Sequence, residues 1–178
     1  ALKYYIEGDR YYIEGKFEES IQSLEKAVAL DPKFAMAFKD IAMVHSYTGY
    51  PEKVKTNILK ALALIDHVSD RERYLIQGDY YNMVENDYLK AIEIYQELLG
   101  VYPDDEEGNM MLGSIYRNLE EWDLALEQWE KVLRINENYE LGPQNLVFIH
   151  MGKGMLDRAM EILQKNQHTF SSQAYFRR

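Results

Sequence analysis

From Leu112 to Ile135 the apolar and small residues fall at Leu112, Gly113, Tyr116, Trp122, Ala125, Trp129 and Val132. Most are three or four apart, the spacing of one face of an amphipathic helix. The run from Asn118 to Glu121 interrupts the stripe, so the pattern predicts a helix, a tight turn and a second, antiparallel helix. Leu112, Tyr116 and Trp129 are expected to pack between the two, with Gly113 and Ala125 where the backbones approach. A lone hairpin of this size leaves an apolar side uncovered and is marginal in water. It needs neighbours.

The neighbours are copies. Gly113 with Tyr116 matches Gly8 with Tyr11, Gly78 with Tyr81, Ala42 with His45 and Val147 with His150. Ala125, Trp129 and Val132 match Ser20, Leu24 and Ala27, then Val54, Ile58 and Ala61, then Ala91, Tyr95 and Leu98, then Ala159, Leu163 and Asn166. Ala27 to Ala61, Leu98 to Val132 and Val132 to Asn166 are each 34 residues, while Ala61 to Leu98 is 37. A period near 34 with paired helices is the signature of a tetratricopeptide-type array.

The predicted helices run over residues 2–13, 18–30, 34–47 and 52–64, with Pro51 in a first helical turn where its missing N–H costs little. Ser69 and Glu72 read as a capping box opening the next helix. One residue more than usual separates Gly78 from Ala91, 13 against the 12 between Gly8 and Ser20. The third pair ends at Tyr102-Pro103, and the carboxylates of 104–107 suit the helix N-terminus that follows. The fifth pair covers 141–151 and 155–167, with a turn at 152–154, and Ser171 or Ser172 is expected to cap a short final helix. These elements form one domain, with repeats at about 1–34, 35–68, 69–105, 106–139 and 140–170, and a capping helix begun in 171–178. The chain is read as a domain cut from a longer protein, because it starts inside the first repeat without Met.

Tyr4, Gly8, Tyr11, Gly15, Phe17, Leu24, Ala27 and Pro32 in the first repeat, and Leu112, Gly113, Tyr116, Trp122, Ala125 and Trp129 in the fourth, resemble the tetratricopeptide repeat family. Glu7, Pro51 and Asn166 depart from its pattern, and the fifth repeat matches least. The resemblance implies an all-α fold, a right-handed α-solenoid of about five repeats, with the first helix of each pair lining a concave face. Carrying the family's groove positions over implies a peptide-binding groove of Tyr5, Asp9, Tyr12, Met36, Lys39, Met43 and Tyr47, then Asp79, Met83, Met110, Arg117 and Phe148. The segment 66–103 is further similar to repeat regions of bacterial multidomain signalling proteins, where the repeats follow a serine/threonine kinase, winged-helix regulator or cyclase domain.

Composition agrees with a packed helical chain: of 178 residues 47% are hydrophobic, and only 10 are Gly and 4 Pro. No stretch is apolar over the 18 or so residues of a membrane span, and no signal-peptide core is visible, so no direct membrane contact is expected. The absence of cysteine removes disulfides and thiolate metal sites without choosing a compartment, cytoplasm being preferred and periplasm left open. A net charge of −10 speaks against nucleic acid, whose phosphates need a basic stripe.

Nothing in the sequence points to catalysis or a cofactor. His45 and His150 sit where other repeats carry Tyr, so they read as packing residues, and no histidine has metal-ligand spacing. Gly152-Lys153-Gly154 lacks the flanking residues of a phosphate loop and reads as a turn. The 30 acidic residues read as solvated faces, often paired with cations, as in Glu14 with Lys16 and Glu127 with Lys131. The expected function is therefore binding, of a peptide or protein segment with apolar anchors and basic groups opposite Asp9 and Asp79. In the other reading the same Met and Tyr residues fill gaps between repeats. Tyr5 and Asp9 stand where chaperone-binding members carry Lys and Asn, which removes an acidic chaperone tail as partner. A homodimer, or a scaffold positioning a catalytic domain, is the alternative function, and sensing of a small apolar ligand a third.

Overall fold

The computed structural model describes residues 1–166. Among them the chain forms ten α-helices and no strand. They are α1 (Leu2–Ile13), α2 (Phe17–Leu30), α3 (Ala35–Thr48), α4 (Pro51–Leu62), α5 (Asp70–Tyr80), α6 (Tyr88–Val101), α7 (Glu106–Asn118), α8 (Trp122–Ile135), α9 (Gly142–Gly152) and α10 (Leu156–Lys165). The all-α class of paired antiparallel helices is thus the one adopted. The expected cap at Ser171 or Ser172, and the end of the last helix at 167, lie outside the described residues. Several boundaries shift by one residue and one by two: α4 stops at Leu62, and a 3₁₀ turn over Ile65–His67 carries the chain to α5. Ser69 then caps α5, its Oγ accepting from the Glu72 N–H at 3.3 Å while Glu72 Oε2 accepts from the Ser69 N–H at 2.9 Å. Asp105 does the same for α7, Oδ1 accepting from the Gly108 N–H at 2.7 Å.

The five turns between paired helices share one device. A residue in the left-handed region follows each first helix: Gly15 (φ 71°), Gly49 (78°), Asn86 (56°), Glu120 (60°) and Gly154 (73°). It lets a carbonyl in the helix's last turn accept from an N–H five residues on. Tyr11 accepts from Lys16 at 2.8 Å, His45 from Tyr50 at 3.2 Å, Tyr116 from Glu121 at 2.9 Å and His150 from Met155 at 2.8 Å. In the third repeat the equivalent carbonyl, of Tyr81, accepts from Asp87, six residues on, at 2.9 Å. The extra residue counted in the sequence is absorbed there by a π-helical turn over Tyr81–Glu85.

The contacts divide the chain into two compact units, 1–94 and from Tyr95 onward. In the first, α1 pairs with α2 and α3 with α4. Gly8 lets α2 come close: a Cβ there would lie 2.7 Å from Leu24 Cγ, and Ser20 Oγ donates to the Gly8 carbonyl at 2.8 Å. One core cluster joins Leu24, Ile41 and Val44, with Tyr5, Tyr12, Phe17, Ile21 and Val28 packed against it. A second joins Ala42, Val54 and Ile58, covered by Tyr80, Met83 and Val84.

In the second unit α7 pairs with α8 and α9 with α10. The expected meeting of Gly113 and Trp129 is found, since a Cβ on Gly113 would stand 2.9 Å from the indole Cδ1. Trp129 is 2% exposed and also meets the Tyr139 ring at 6.2 Å. Truncating a side chain of this size in a closed core costs about 3–5 kcal/mol.

Candidate functional site

In the first unit the residues expected to line a groove lie on α1, α3 and the continuous α5 with its π turn. They do not share one environment. Asp9 and Tyr47 are exposed, Tyr5, Tyr12 and Met83 half-buried, and Met36, Lys39, Met43 and Asp79 buried. Tyr47 is 53% exposed and belongs to an aromatic group. Its ring stacks on Phe17, with centroids 5.8 Å apart and 9° between planes, and meets Tyr12 at 5.8 Å. Tyr12 in turn meets Phe17 at 6.2 Å and packs on the Leu24–Ile41–Val44 cluster. One edge of this group thus packs on core, and the other presents an exposed aromatic surface. Sequence reasoning did not place Phe17 here. Its aromatic character after Gly15 was legible, but its partner Tyr47 comes from another repeat.

Lys39 and Asp79 require a correction. They were expected to meet a partner, Asp79 by selecting basic groups, yet each is 1% exposed. Lys39 Nζ lies 3.6 Å from Asp79 Oδ2 and 3.1 Å from Asp40 Oδ1, the last residue being 23% exposed. An ammonium and a carboxylate are buried only when paired, so the pair ties α3 to α5 and Asp79 is not available to a ligand. Met36 and Met43, 6% and 9% exposed, are likewise packing residues in this structure.

In the second unit Met110 and Arg117 are half-buried and Phe148 is exposed. Arg117 Nη1 donates to Asn145 Oδ1, which joins α7 to α9. Tyr139 Oη donates to Met110 Sδ at 2.8 Å. Neither Asn145 nor Tyr139 was singled out from sequence, because each partner lies 28 or 29 residues away.

The two histidines at the repeat's tyrosine position are interior residues, His45 3% and His150 7% exposed. Burial pushes both imidazoles below their ordinary pKa, and Lys53 beside His45 and Arg158 and Lys153 beside His150 push the same way. Among the described residues no group of three or more His, Asp or Glu is placed to hold a metal ion. No helix among them is long and apolar enough to cross a membrane. The surface pairs read from sequence form, Lys16 with Glu14 at 2.7 Å and Lys131 with Glu127 at 2.8 Å.

Comparison with known proteins places this geometry. The TPR repeat family model matches residues 8–45, and tetratricopeptide repeat models match 74–105 and 107–139. The TPR repeat-containing protein YpiA of Bacillus subtilis (strain 168) is 25% identical over 156 residues, which are 87% of this chain and 36% of YpiA. The chain therefore spans about a third of that relative's length. Among solved structures, the thermophilic TPR protein TTC0263 of Thermus thermophilus superposes with a TM-score of 0.71 at 16% identity, covering 94% of this chain and 90% of that one. YrrB, described as a TPR protein with an unusual peptide-binding site, gives 0.51 at 18% identity over 97% and 86%. At these identities the two structures speak to fold alone. With antiparallel helices under each matched segment and a left-handed residue closing all five pairs, the chain is built of tetratricopeptide repeats on an all-α, solenoid-class fold.

Proposed function

We propose that the chain is a non-catalytic interaction module that buries apolar anchors of a peptide or protein segment against the aromatic surface of its inner helices. The observation that carries this is Tyr47, 53% exposed and packed against the rings of Phe17 and Tyr12. An aromatic ring supplies contact area with little rotamer entropy to lose on binding. Such rings dominate interface energetics when a partner covers them. Asp9, exposed on α1 between Tyr5 and Tyr12, favours a basic group beside the apolar anchor. In the second unit Phe148 offers an exposed ring of the same kind, with Met110 and Arg117 as half-buried neighbours in the repeat register. That YrrB is described by a peptide-binding site supports the reading by analogy of fold. A place as sensor or scaffold in a larger signalling protein rests on the likeness of segment 66–103 alone.

The test is a display selection of peptides on the wild-type domain, followed by titration of the best binder into wild type and Tyr47→Glu. At least a tenfold loss of affinity with unchanged far-UV circular dichroism is expected. Equal affinity would overturn the reading. Self-association is the second reading, favoured by Leu2 and Ile6 of α1, 63% and 60% exposed. Light scattering across a wide concentration range decides it, a concentration-dependent mass putting self-association first.

A further inference from the structure

The second helix of the second pair stands apart in its charge. Among the described residues every other helix carries at most two Lys or Arg, whereas α4 carries three, Lys53, Lys55 and Lys60, against the single carboxylate of Glu52. In a chain of net charge −10 this is a local reversal of sign. All three lysines are exposed, and no ion pair engages any of them among the described residues. Other exposed cations of the same unit are matched by neighbours, Lys16 by Glu14 at 2.7 Å, Arg73 by Asp70 at 3.2 Å and Lys90 by Glu93 at 2.7 Å. On α4, two of the three stand over aromatic rings instead. Lys53 Nζ lies 5.0 Å from the centre of the Tyr50 ring, and Lys60 Nζ 5.3 Å from that of Phe38. A ring neutralises no charge, so both ammonium groups keep theirs for a partner.

The three charges frame an apolar strip. Val54, Ile58 and Ala61 turn inward and are buried. At about 100° per residue the opposite side of α4 presents Thr56 and Leu59, continued by the exposed Ala63. Lys55 borders this strip on one side, and Lys53 and Lys60 border it on the other. Glu52 shares the strip only in the first turn, where a carboxylate complements the helix N-terminus. Leu59 is 42% exposed, and Tyr50, 55% exposed, adds an aromatic ring beside Lys53. Lys53 and Lys60 both lie inside α4 (Pro51–Leu62) and are seven residues apart, two turns or roughly 10.5 Å along the axis.

We propose that the outer side of α4 docks an acidic amphipathic helix of a partner protein. Its apolar stripe covers Leu59, and Asp or Glu residues flank the stripe, two of them seven apart opposite Lys53 and Lys60. The unmatched cations select an anionic partner by charge complementarity. The strip between them selects one with apolar surface, which a phosphate backbone does not offer. Spacing selects a helix. Residues seven apart on a helix repeat the same interval of roughly 10.5 Å, whereas side chains on one side of an extended strand recur at about 6.7 Å and 13.4 Å and miss it. α4 carries none of the residues used by the inner-helix reading, so the two surfaces are tested independently.

The test uses two fluorescein-labelled, helix-stapled 14-residue peptides with the same Leu stripe, one with Glu and one with Lys at the flanking positions. Fluorescence anisotropy is read with wild type, with Lys53→Glu/Lys60→Glu, and with Tyr47→Glu. Wild type is expected to prefer the Glu peptide at least fivefold, although the net charge of −10 favours the Lys peptide at long range. The charge reversal is expected to invert the preference, and Tyr47→Glu to change neither affinity. Both lysines are exposed, so the reversal leaves the packing of α4 intact, and an inverted preference is a gain that misfolding does not produce. Equal binding of the two peptides, binding of neither, or a preference that survives the reversal would overturn the proposal. So would tighter binding of a 14-base-pair DNA duplex or of phosphatidylserine vesicles than of the Glu peptide, which would make the anion a phosphate backbone or a lipid surface. The inner-helix reading is tested separately by Tyr47→Glu with its own peptide.

Discussion

The buried pair Lys39–Asp79 lends itself to a quantitative test. Both residues are 1% exposed and their charged atoms are 3.6 Å apart. At an effective dielectric of about 20 that separation corresponds to a gross attraction of about 4–5 kcal/mol, most of which offsets the cost of removing two charges from water. The two single removals are not equivalent. Asp79→Leu leaves the ammonium beside Asp40, 3.1 Å away and 23% exposed, so part of its compensation survives. Lys39→Met takes the ammonium away from the buried Asp79 carboxylate. Breaking a buried pair from one side costs about 3–5 kcal/mol, so Lys39→Met is expected within that range and Asp79→Leu at its lower end. Removing both, as Lys39→Met with Asp79→Leu, replaces the pair with apolar volume and is expected to recover most of the loss, to within about 1 kcal/mol of wild type. Urea unfolding followed by far-UV circular dichroism reads the four proteins. Both tryptophans, Trp122 and Trp129, belong to the second unit, so indole fluorescence alone is blind to a local loss in the first. With a slope of about 2 kcal/mol/M, a loss of about 4 kcal/mol moves the midpoint by about 2 M. If Lys39→Met cost under about 1 kcal/mol, or the double variant were no more stable than either single, the assignment of this pair as a mutually compensated internal strut would fail.

Two further outcomes follow from the repeated turn and from its buried ring. Glu120 holds φ at 60°, where three of the other four turns have Gly, so Glu120→Gly is expected to stabilise by about 0.5–1 kcal/mol and raise the melting temperature; an unchanged or lower value would show that the left-handed residue is not strained. His45 and His150 have folded-state pKa values below their ordinary value, so the unfolded chain binds more protons, and stability present above about pH 6.5 is lost as pH falls through the folded values. Melting temperatures at pH 7.5, 6.5 and 5.5 should therefore fall more steeply for wild type than for His45→Gln/His150→Gln, and parallel curves would refute it.

Periodicity alone determined the class of this protein, because spacings of three and four within helices, and of 34 between them, record which face each helix must bury whatever its neighbour is. The same local logic placed the capping box at Ser69 and the glycine under Trp129, since both depend on residues close in sequence or on a repeated offset between paired helices. The register shift between Ala61 and Leu98 was countable in the sequence, but whether its extra residue would lengthen a loop or enter a helix was decided by packing. Met83 and Val84 cover the Ala42–Val54–Ile58 cluster only because the helix continues through a π turn.

The candidate site was legible in register and not in exposure. A groove position names a direction around a helix, and direction does not say what stands opposite. At Tyr47 the neighbouring rings support the side chain from below and leave it in water. At Lys39 and Asp79 the same register brought two opposite charges together out of water, across 40 residues of sequence. Burial is set by the atoms of all the packed helices at once, so only the tertiary structure could separate the residues that hold this fold from those it offers to a partner.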